Sequence, residues 1–496
     1  MAFVTGPLTQ RLKIVHGLGA VAFGVKDLGF SFFLLIFYNQ VLGMDARLVS
    51  AALLIALLVD AVVDPIIGNL SDRTYTRWGR RLPWLYLAPV PLALMWAVLW
   101  HPPGGEAPGF AGLVAIAIGV RVLLSACEVP SISLVPEITQ DYDERTTLFR
   151  YRFLSGWLGG IVMMVLAYTV FMSGPDGLLR QEGYLGFGIF GAVLMVLSVA
   201  GSALGQHRLV ARWPERRPAP FSFKGAFAEI VDAFSERSFL FFAAGALAAY
   251  VNQGMTFSIA NYLNVFVWRL DQPMLADGPQ WLTGLLGYAL SLFLSVVLMF
   301  FVVGTMHRRF GKAKSAAIGA YCSIFMGLAP YLLFSFGVWP QPGTAASTLA
   351  FLATLLVANM FGVVMMISAT SMIAEIVEAF EERTGRRAEG AFYSGNWLIQ
   401  KCATGLGIFL TGQIVAAAKL PDGARAEMIG RGVLTDMIAY YAIAAIVLAI
   451  LSAYWLGRFP IGRAEHEARL ERLAKKRLGP IDAAARGDVD AGALVP

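Results

Sequence analysis

The segment LLVDAVVDPIIGNLSDRTYTRWGRR (residues 57–81) decides how the rest of the chain is read. Two aspartates, Asp60 and Asp64, stand four residues apart in an apolar run, and a loop of glycines and arginines follows at once. Positions i and i+4 share one face of a helix. Two ionised carboxylates so placed repel, so they need a cation between them or a proton on one of them. In a membrane helix the pair suits reversible capture of Na+ or H+. The alternative is structural: Asp64 precedes Pro65 and caps a broken helix.

The run belongs to a membrane-spanning pattern. The chain has 496 residues, 57% hydrophobic and 15% charged, whereas about 25% are charged in a soluble chain. Mean hydropathy is +0.64. The apolar residues fall into twelve blocks, about 14–38, 47–70, 82–101, 111–132, 153–173, 185–205, 237–267, 281–305, 314–337, 347–373, 390–417 and 434–457. Most are long enough for the roughly 20 residues that cross a bilayer as a helix. Nothing alternates as barrel strands do. The expected fold is therefore an all-α membrane protein of twelve transmembrane helices.

Basic residues crowd alternate loops. Arg73, Arg77, Arg80 and Arg81 follow span 2; Arg208, Arg212, Arg216 and Arg217 follow span 6; His307, Arg308, Arg309, Lys312 and Lys314 follow span 8; Arg383, Arg386 and Arg387 follow span 10. The positive-inside rule then places both termini in the cytoplasm. The net charge of +6 is split among loops separated by membrane, which argues against nucleic-acid binding. The N-terminal MAFVTGPLTQRLK runs into span 1 with no cleavable signal pattern. Cys127, Cys322 and Cys402 lie in spans, at spacings that fit neither a disulfide framework nor a metal site.

The longest inner loop divides the spans six and six. The expected organisation is a first half at 1–205, a cytoplasmic linker at 206–236 rich in Pro and Arg, a second half at 237–457 and a cytoplasmic tail at 458–496. GNLSDRTYTRWGRR after span 2 and GTMHRRFGKAK after span 8 form a weak internal repeat. Such repeats are typical of secondary transporters, whose substrate site lies between the halves near the midplane. In the tail, AEHEARLERLAKKRLG reads either as an amphipathic helix on the membrane surface or as a solvated segment.

Ionisable residues inside the membrane mark functional sites by default. Span 1 carries Lys26 and Asp27, span 2 Asp60 and Asp64, and span 4 Glu128, with Arg121 nearer its end. Arg152 starts span 5 and Lys401 lies in span 11. Ser125, one turn before Glu128, can lend a hydroxyl to the aspartate pair. Glu128 lies in CEVPSISLVPEIT, where Pro130 and Pro136 are expected to interrupt the helix beside a cavity. It is read as a solute-binding carboxylate, or else as half of a buried ion pair with Arg152 or Lys401. Lys401 is expected to seek the first-half carboxylates. Asn252, Gln253, Asn396 and Gln400 are further cavity candidates, with helix–helix hydrogen bonds the rival reading.

Gly68, Asp72, Arg73, Gly79, Arg80 and Arg81 form an ordered loop set that resembles the signature of the major facilitator superfamily, where it latches the two halves in the outward-facing state. More specifically, VDAVVDPIIGNLSDRTYTRWGRRLPW, EVPSISLVPEIT, ERTTLFRYRF and AEIVEAFEERTGRRAEGAFYSGNWLIQK resemble the glycoside–pentoside–hexuronide:cation symporters. The resemblance implies two pseudo-symmetric six-helix halves and a cation site at Asp60, Asp64 and Ser125. It implies substrate contacts at Glu128 and Arg152, and a Lys401 linked to the cation site. The sequence departs from the sugar binders at Val63, where an asparagine often precedes the second aspartate, and at Ile132, where a tryptophan meets the sugar. The family's span-1 aspartate aligns with Gly24, and Asp27 one turn later is taken to serve in its place.

The function so read is a symporter, coupled to Na+ or H+, that imports a sugar- or glycoside-type small molecule by alternating access. It would lie in the bilayer of a bacterial inner membrane as a monomer, with no cofactor beyond the coupling ion. A lysophospholipid or other amphiphile is the alternative cargo. A non-transporting sensor or a membrane enzyme is the reading from another class. The enzyme finds no support, since there is no Walker A motif, no HExxH and no nucleophile–base set.

Overall fold

The computed structural model describes residues 7–213, 231, 233–274, 279, 281–385, 388–460 and 472. Ten described helices are long and apolar enough to cross a membrane. They are α1 (Gln10–Val41), α2 (Ala46–Arg73), α4 (Gly109–Ile138), α5 (Asp143–Phe171), α6 (Gln181–Val210), α8 (Gly284–Phe310), α9 (Lys312–Ser335), α10 (Ala345–Thr384), α11 (Glu389–Ala417) and α12 (Arg431–Gly457). Two more occupy the remaining predicted spans. These are α3, in two pieces (Leu82–Leu87 and Pro89–Trp100), and α7 (Arg237–Tyr262, continuing through Leu263–Val267). Twelve helices in the expected order are thus present among the described residues. Most of the predicted linker and tail, including the amphipathic segment apart from Arg472, lies outside them.

Local chemistry sets the helix ends. The Asp45 carboxylate accepts from the Arg47 N–H at 2.7 Å and starts α2. Asp141 accepts from the Glu144 N–H at 2.9 Å ahead of α5, and Glu144 at the third position completes the polar start. At the other end of α10, Gly385 takes a left-handed conformation (φ 70°) that stops the helix. α10 has 40 residues and runs well past the predicted 373. Pro65 lies inside a continuous α2, so Asp64 is not the cap of a broken helix. Pro130 is likewise inside its helix, and α4 breaks only at Leu134, ahead of Pro136.

Packing repeats with a shift of six helices. In the first half α1 packs on α5, α2 on α4 and α3 on α6; in the second, α7 packs on α11, α8 on α10 and α9 on α12. That is the internal pseudo-symmetry anticipated from the two basic loops. The halves meet where α2 runs along α11 and where Trp157 of α5 stacks on Phe293 of α8 at 5.3 Å. Gly24 shows how close the helices lie within a half. A Cβ there would stand 2.8 Å from the Gly160 nitrogen on α5, so position 24 has no room for a side chain. Asp27, three residues on, is the exposed carboxylate of this helix.

With sidedness taken from the basic loops, the outer ends of the halves are tied together. Asn39 Nδ2 donates to Asp422 Oδ1 at 2.6 Å, and the Ala424 N–H donates to Gln40 Oε1 at 3.0 Å. Tyr262 donates to Asn39 Oδ1 at 3.0 Å, Asn261 to the Phe32 carbonyl at 2.8 Å, and the Asp176 N–H to Asp271 Oδ2 at 3.0 Å. α1, α5 and α7 all end here in π-helical turns, a geometry frequent at functional sites.

Burial raises the Asp271 carboxyl pKa above the usual carboxylate range; the Asp176 N–H and Arg269 oppose this only in part. Opening the outer end would return Asp271 to water and its ordinary value. The closed form thus binds the proton more tightly. Acidification favours closure, and that preference is lost as pH rises through the raised value. Spin labels at Glu106 and Gln341, in outer loops of opposite halves, should report a growing short-distance population as pH falls. Asp271→Asn should flatten that response; an unchanged pH profile in the variant would remove Asp271 from the gate.

Candidate functional site

α2 and α4 pack face to face, with Gly68 alongside Val129. This places Asp60 and Asp64 opposite Arg121 and Ser125, a second i, i+4 pair. The Ser125 hydroxyl lies 2.7 Å from Asp60 Oδ1 and 2.6 Å from Asp64 Oδ1. It has one hydrogen and so donates to only one carboxylate at a time. Lys401 enters from α11. Its Nζ stands 2.9 Å from Asp60 Oδ2 and pairs with Asp64 Oδ2. Arg121 Nη1 lies 3.2 Å from Asp60 Oδ2. The Asp60 side chain is only 1% exposed, whereas Asp64 is 24% exposed. The predicted triad and its lysine partner thus form one cluster that bridges the two halves.

Glu128, one turn beyond Ser125, is half-buried and has no hydrogen bond or ion pair among the described residues. Arg152 donates instead to Ser131 Oγ at 2.6 Å and lies over the Phe23 ring at 5.6 Å. The ion pairs of Glu128 with Arg152 or Lys401 that the sequence allowed are therefore not formed. Both bases, with Lys26 and Asp27, lie within electrostatic reach of Glu128. Lys26 Nζ is 2.5 Å from Asp27 Oδ1; the lysine is buried, while the aspartate side chain is 68% exposed. A free carboxylate, an exposed aspartate and a buried arginine thus share one electrostatic neighbourhood.

Other candidates are placed differently. Gln253 donates to Met366 Sδ at 3.1 Å, Asn396 accepts from Tyr250 at 3.3 Å, and the buried Asn252 Oδ1 has no partner. Gln253 and Asn396 bond within the second half, and among the described residues none of the three makes a hydrogen bond to the carboxylate cluster. In the loop after α2, Asp72 pairs with Arg81, whose Nε lies 3.5 Å from Glu137 Oε1. Arg73 Nε donates to Asn69 Oδ1, and Gly79 makes the turn at φ 90°. Arg80 is half-buried, within electrostatic reach of Glu137. Asp72, Arg81 and Glu137 tie α2 to the end of α4 inside the first half. The second half repeats the device with Lys312 and Glu375 at 2.9 Å. Sequence reasoning missed Arg121 as a site residue; its i, i+4 spacing from Ser125 was the available signal.

These features define a carrier of the major facilitator type, with two pseudo-symmetric helical halves and a charged cluster across their seam. The match to the family model described as "MFS/sugar transport protein", over residues 15–463, shows that the chain belongs to that family, in the branch of the glycoside–pentoside–hexuronide:cation symporters. It is a multi-pass integral membrane transporter of the bacterial inner membrane, not an enzyme. The chain is 28% identical to an uncharacterized symporter, sll1374, of Synechocystis, over 93% of this chain and 97% of that protein. It is 36% identical to the isoprimeverose transporter of Lactiplantibacillus pentosus over 28% of this chain and 29% of that one. Among solved structures, a bacterial homologue of the lysosomal transporter Spinster superposes with TM-score 0.60 at 15% identity, covering 91% of this chain and 98% of that one. A POT family transporter gives TM-score 0.62 at 13% identity, covering 91% and 96%. At these identities the structures share the fold alone.

Proposed function

We propose that this protein is a cation-coupled symporter that imports a sugar- or glycoside-type solute by alternating access. The observation that carries this reading is the Lys401 ammonium of one half seated between the Asp60 and Asp64 carboxylates of the other. With no coupling ion bound, Lys401 and Arg121 together neutralise the pair, and Lys401 holds the halves together at their centre. A cation at Asp60, Asp64 and Ser125 would displace it and free the seam to reopen. The solute would be held by Glu128, Arg152 and Asp27, all within one electrostatic neighbourhood. Cation raises solute affinity, and solute raises cation affinity by the same factor. The tied outer end and the exposed Asp27 correspond to an inward-open stage of the cycle. The loop at Gly68, Asp72, Arg73, Gly79, Arg80 and Arg81 would act as the conformational latch of the first half.

The test is a melting-temperature screen of the purified protein against glycosides and lysophospholipids, with and without Na+, across pH. A ligand at 100 times its Kd stabilises by about 2.7 kcal/mol. A glycoside should raise the melting temperature, and Glu128→Gln should cut its affinity roughly tenfold to a hundredfold by removing a charged acceptor. Stabilisation by lysophospholipid alone would transfer the proposal to an amphiphilic cargo. An unchanged glycoside affinity in Glu128→Gln would remove Glu128 from the site.

A further inference from the structure

We propose that Arg121 is the ion-selectivity residue of this carrier: its guanidinium takes the place beside Asp60 that an alkali cation would need. This rests on the cation-coupled reading above and specifies its ion. The groups facing the aspartate pair are Arg121 and Ser125 from α4, Lys401 from α11, Lys26, which acts on Asp60 from α1, and Glu128, one turn beyond Ser125, which lies within electrostatic reach of Asp64 but makes no contact with the pair. Two carboxylates against Arg121 and Lys401 leave the immediate cluster with no net charge. Na+ is a hard cation that demands several oxygen ligands and an excess of negative charge. Here the Asp60 and Asp64 oxygens already serve Ser125 and two resident cations.

Lys401 belongs to the second half and can leave with it as the halves rock apart. Arg121 belongs to the same half as the aspartates and is fixed there. It is buried, and its guanidinium carbon lies 4.2 Å from the centre of the Phe30 ring. Phe30 is itself buried in the π-helical turn Gly29–Phe33, 6.4 Å from Trp96. Gly29 permits that contact, since a Cβ there would stand 2.5 Å from the Trp96 ring. An arginine does not lose its proton in a protein, so the charge is permanent. After Lys401 leaves, the cluster retains one net negative charge beside a guanidinium, too little to hold Na+. A proton needs no coordination shell, so the exclusion of Na+ leaves the proton as the coupling ion. Val63, which offers no oxygen next to Asp64, acts in the same direction.

The experiment is calorimetric titration of the purified full-length protein with NaCl against choline chloride at constant ionic strength. Wild type should show no saturable Na+ binding. Arg121→Gln should acquire it, at least about tenfold tighter than wild type, the size of effect a neighbouring charge has on a carboxylate site. Asp60→Asn added to that variant should abolish it. Arg121→Lys, which keeps a positive charge in the same place, should stay without Na+ binding and serves as the check if the glutamine variant folds poorly. Saturable Na+ binding by wild type would overturn the assignment while leaving cation coupling intact. Absence of Na+ binding in a folded Arg121→Gln protein would also overturn it, since removing the guanidinium would then have opened nothing. Failure of the symport reading itself is read separately, from solute accumulation by the aspartate variants.

Discussion

Asp64→Asn is expected to reduce accumulation of the transported solute to simple equilibration across the membrane, while downhill exchange continues. The asparagine keeps the size and the hydrogen bond from Ser125, but it can hold neither a proton nor a cation as a counter-charge. The proposed solute contact at Glu128 is untouched, so the halves are expected still to rock with solute bound. What is lost is the free energy of the ion gradient. Asp60→Asn should abolish accumulation too, at a larger cost in stability. Asp60 is 1% exposed and anchors both Arg121 and Lys401. Removing one partner of a buried ion pair typically costs about 3–5 kcal/mol. Asp64 is partly open to water and should cost less. Uptake and counterflow in proteoliposomes separate the two effects, with melting temperature as the control for folding. Normal gradient-driven accumulation in the double variant would end the symport model.

The second large effect is conformational. Gly412 of α11 meets the start of α2 near the outer end, where a Cβ would stand 2.5 Å from the Ala46 carbonyl oxygen and would overlap Ser50. Unlike Gly24, whose neighbours belong to its own half, Gly412 faces a surface that must part during every cycle. A side chain at 24 should disrupt folding; a side chain at 412 should push the outer seam apart. Gly412→Val is therefore expected to move the resting population toward the outward-open form, with little loss of secondary structure. The Glu106–Gln341 label pair should lengthen, and efflux from inside-loaded vesicles should slow. A folded variant with an unchanged distance distribution would show that the seam accommodates the methyl groups without opening.

The fold was legible because transmembrane helices announce themselves by length and hydropathy, and because basic residues mark alternate loops. The cluster of Asp60, Asp64, Ser125 and Lys401 was legible for a related reason. Charges are so unfavourable in hydrocarbon that the few present must find one another. Depth and rotation were harder to read. Arg121 was read as lying near a span end, but helix packing sets which ionisable residue faces which neighbour, and hydropathy holds no such information. Pro130 was expected to break α4 and does not. A proline deprives the helix of a single backbone bond, whereas the break at Leu134 coincides with a second proline two residues on. Gln253 and Asn396 show a further ambiguity: amides in a span advertise a cavity, yet a contact to an adjacent helix, Met366 for Gln253 and Tyr250 for Asn396, engages them equally well.

The length of α10 has a mechanical consequence. At 1.5 Å per residue its 40 residues extend for about 60 Å, roughly twice the thickness of the hydrocarbon core. Its end carries Glu378, Glu381, Glu382 and Arg383, charges that place it in water rather than lipid, and on the sidedness taken from the basic loops that water is the cytoplasm. A stiff rod anchored in one half and projecting from it turns a small rocking of that half into a much larger sweep at its tip. It offers a grip for an antibody fragment or a fluorophore, from which the working stroke of the carrier can be watched without touching the transport path.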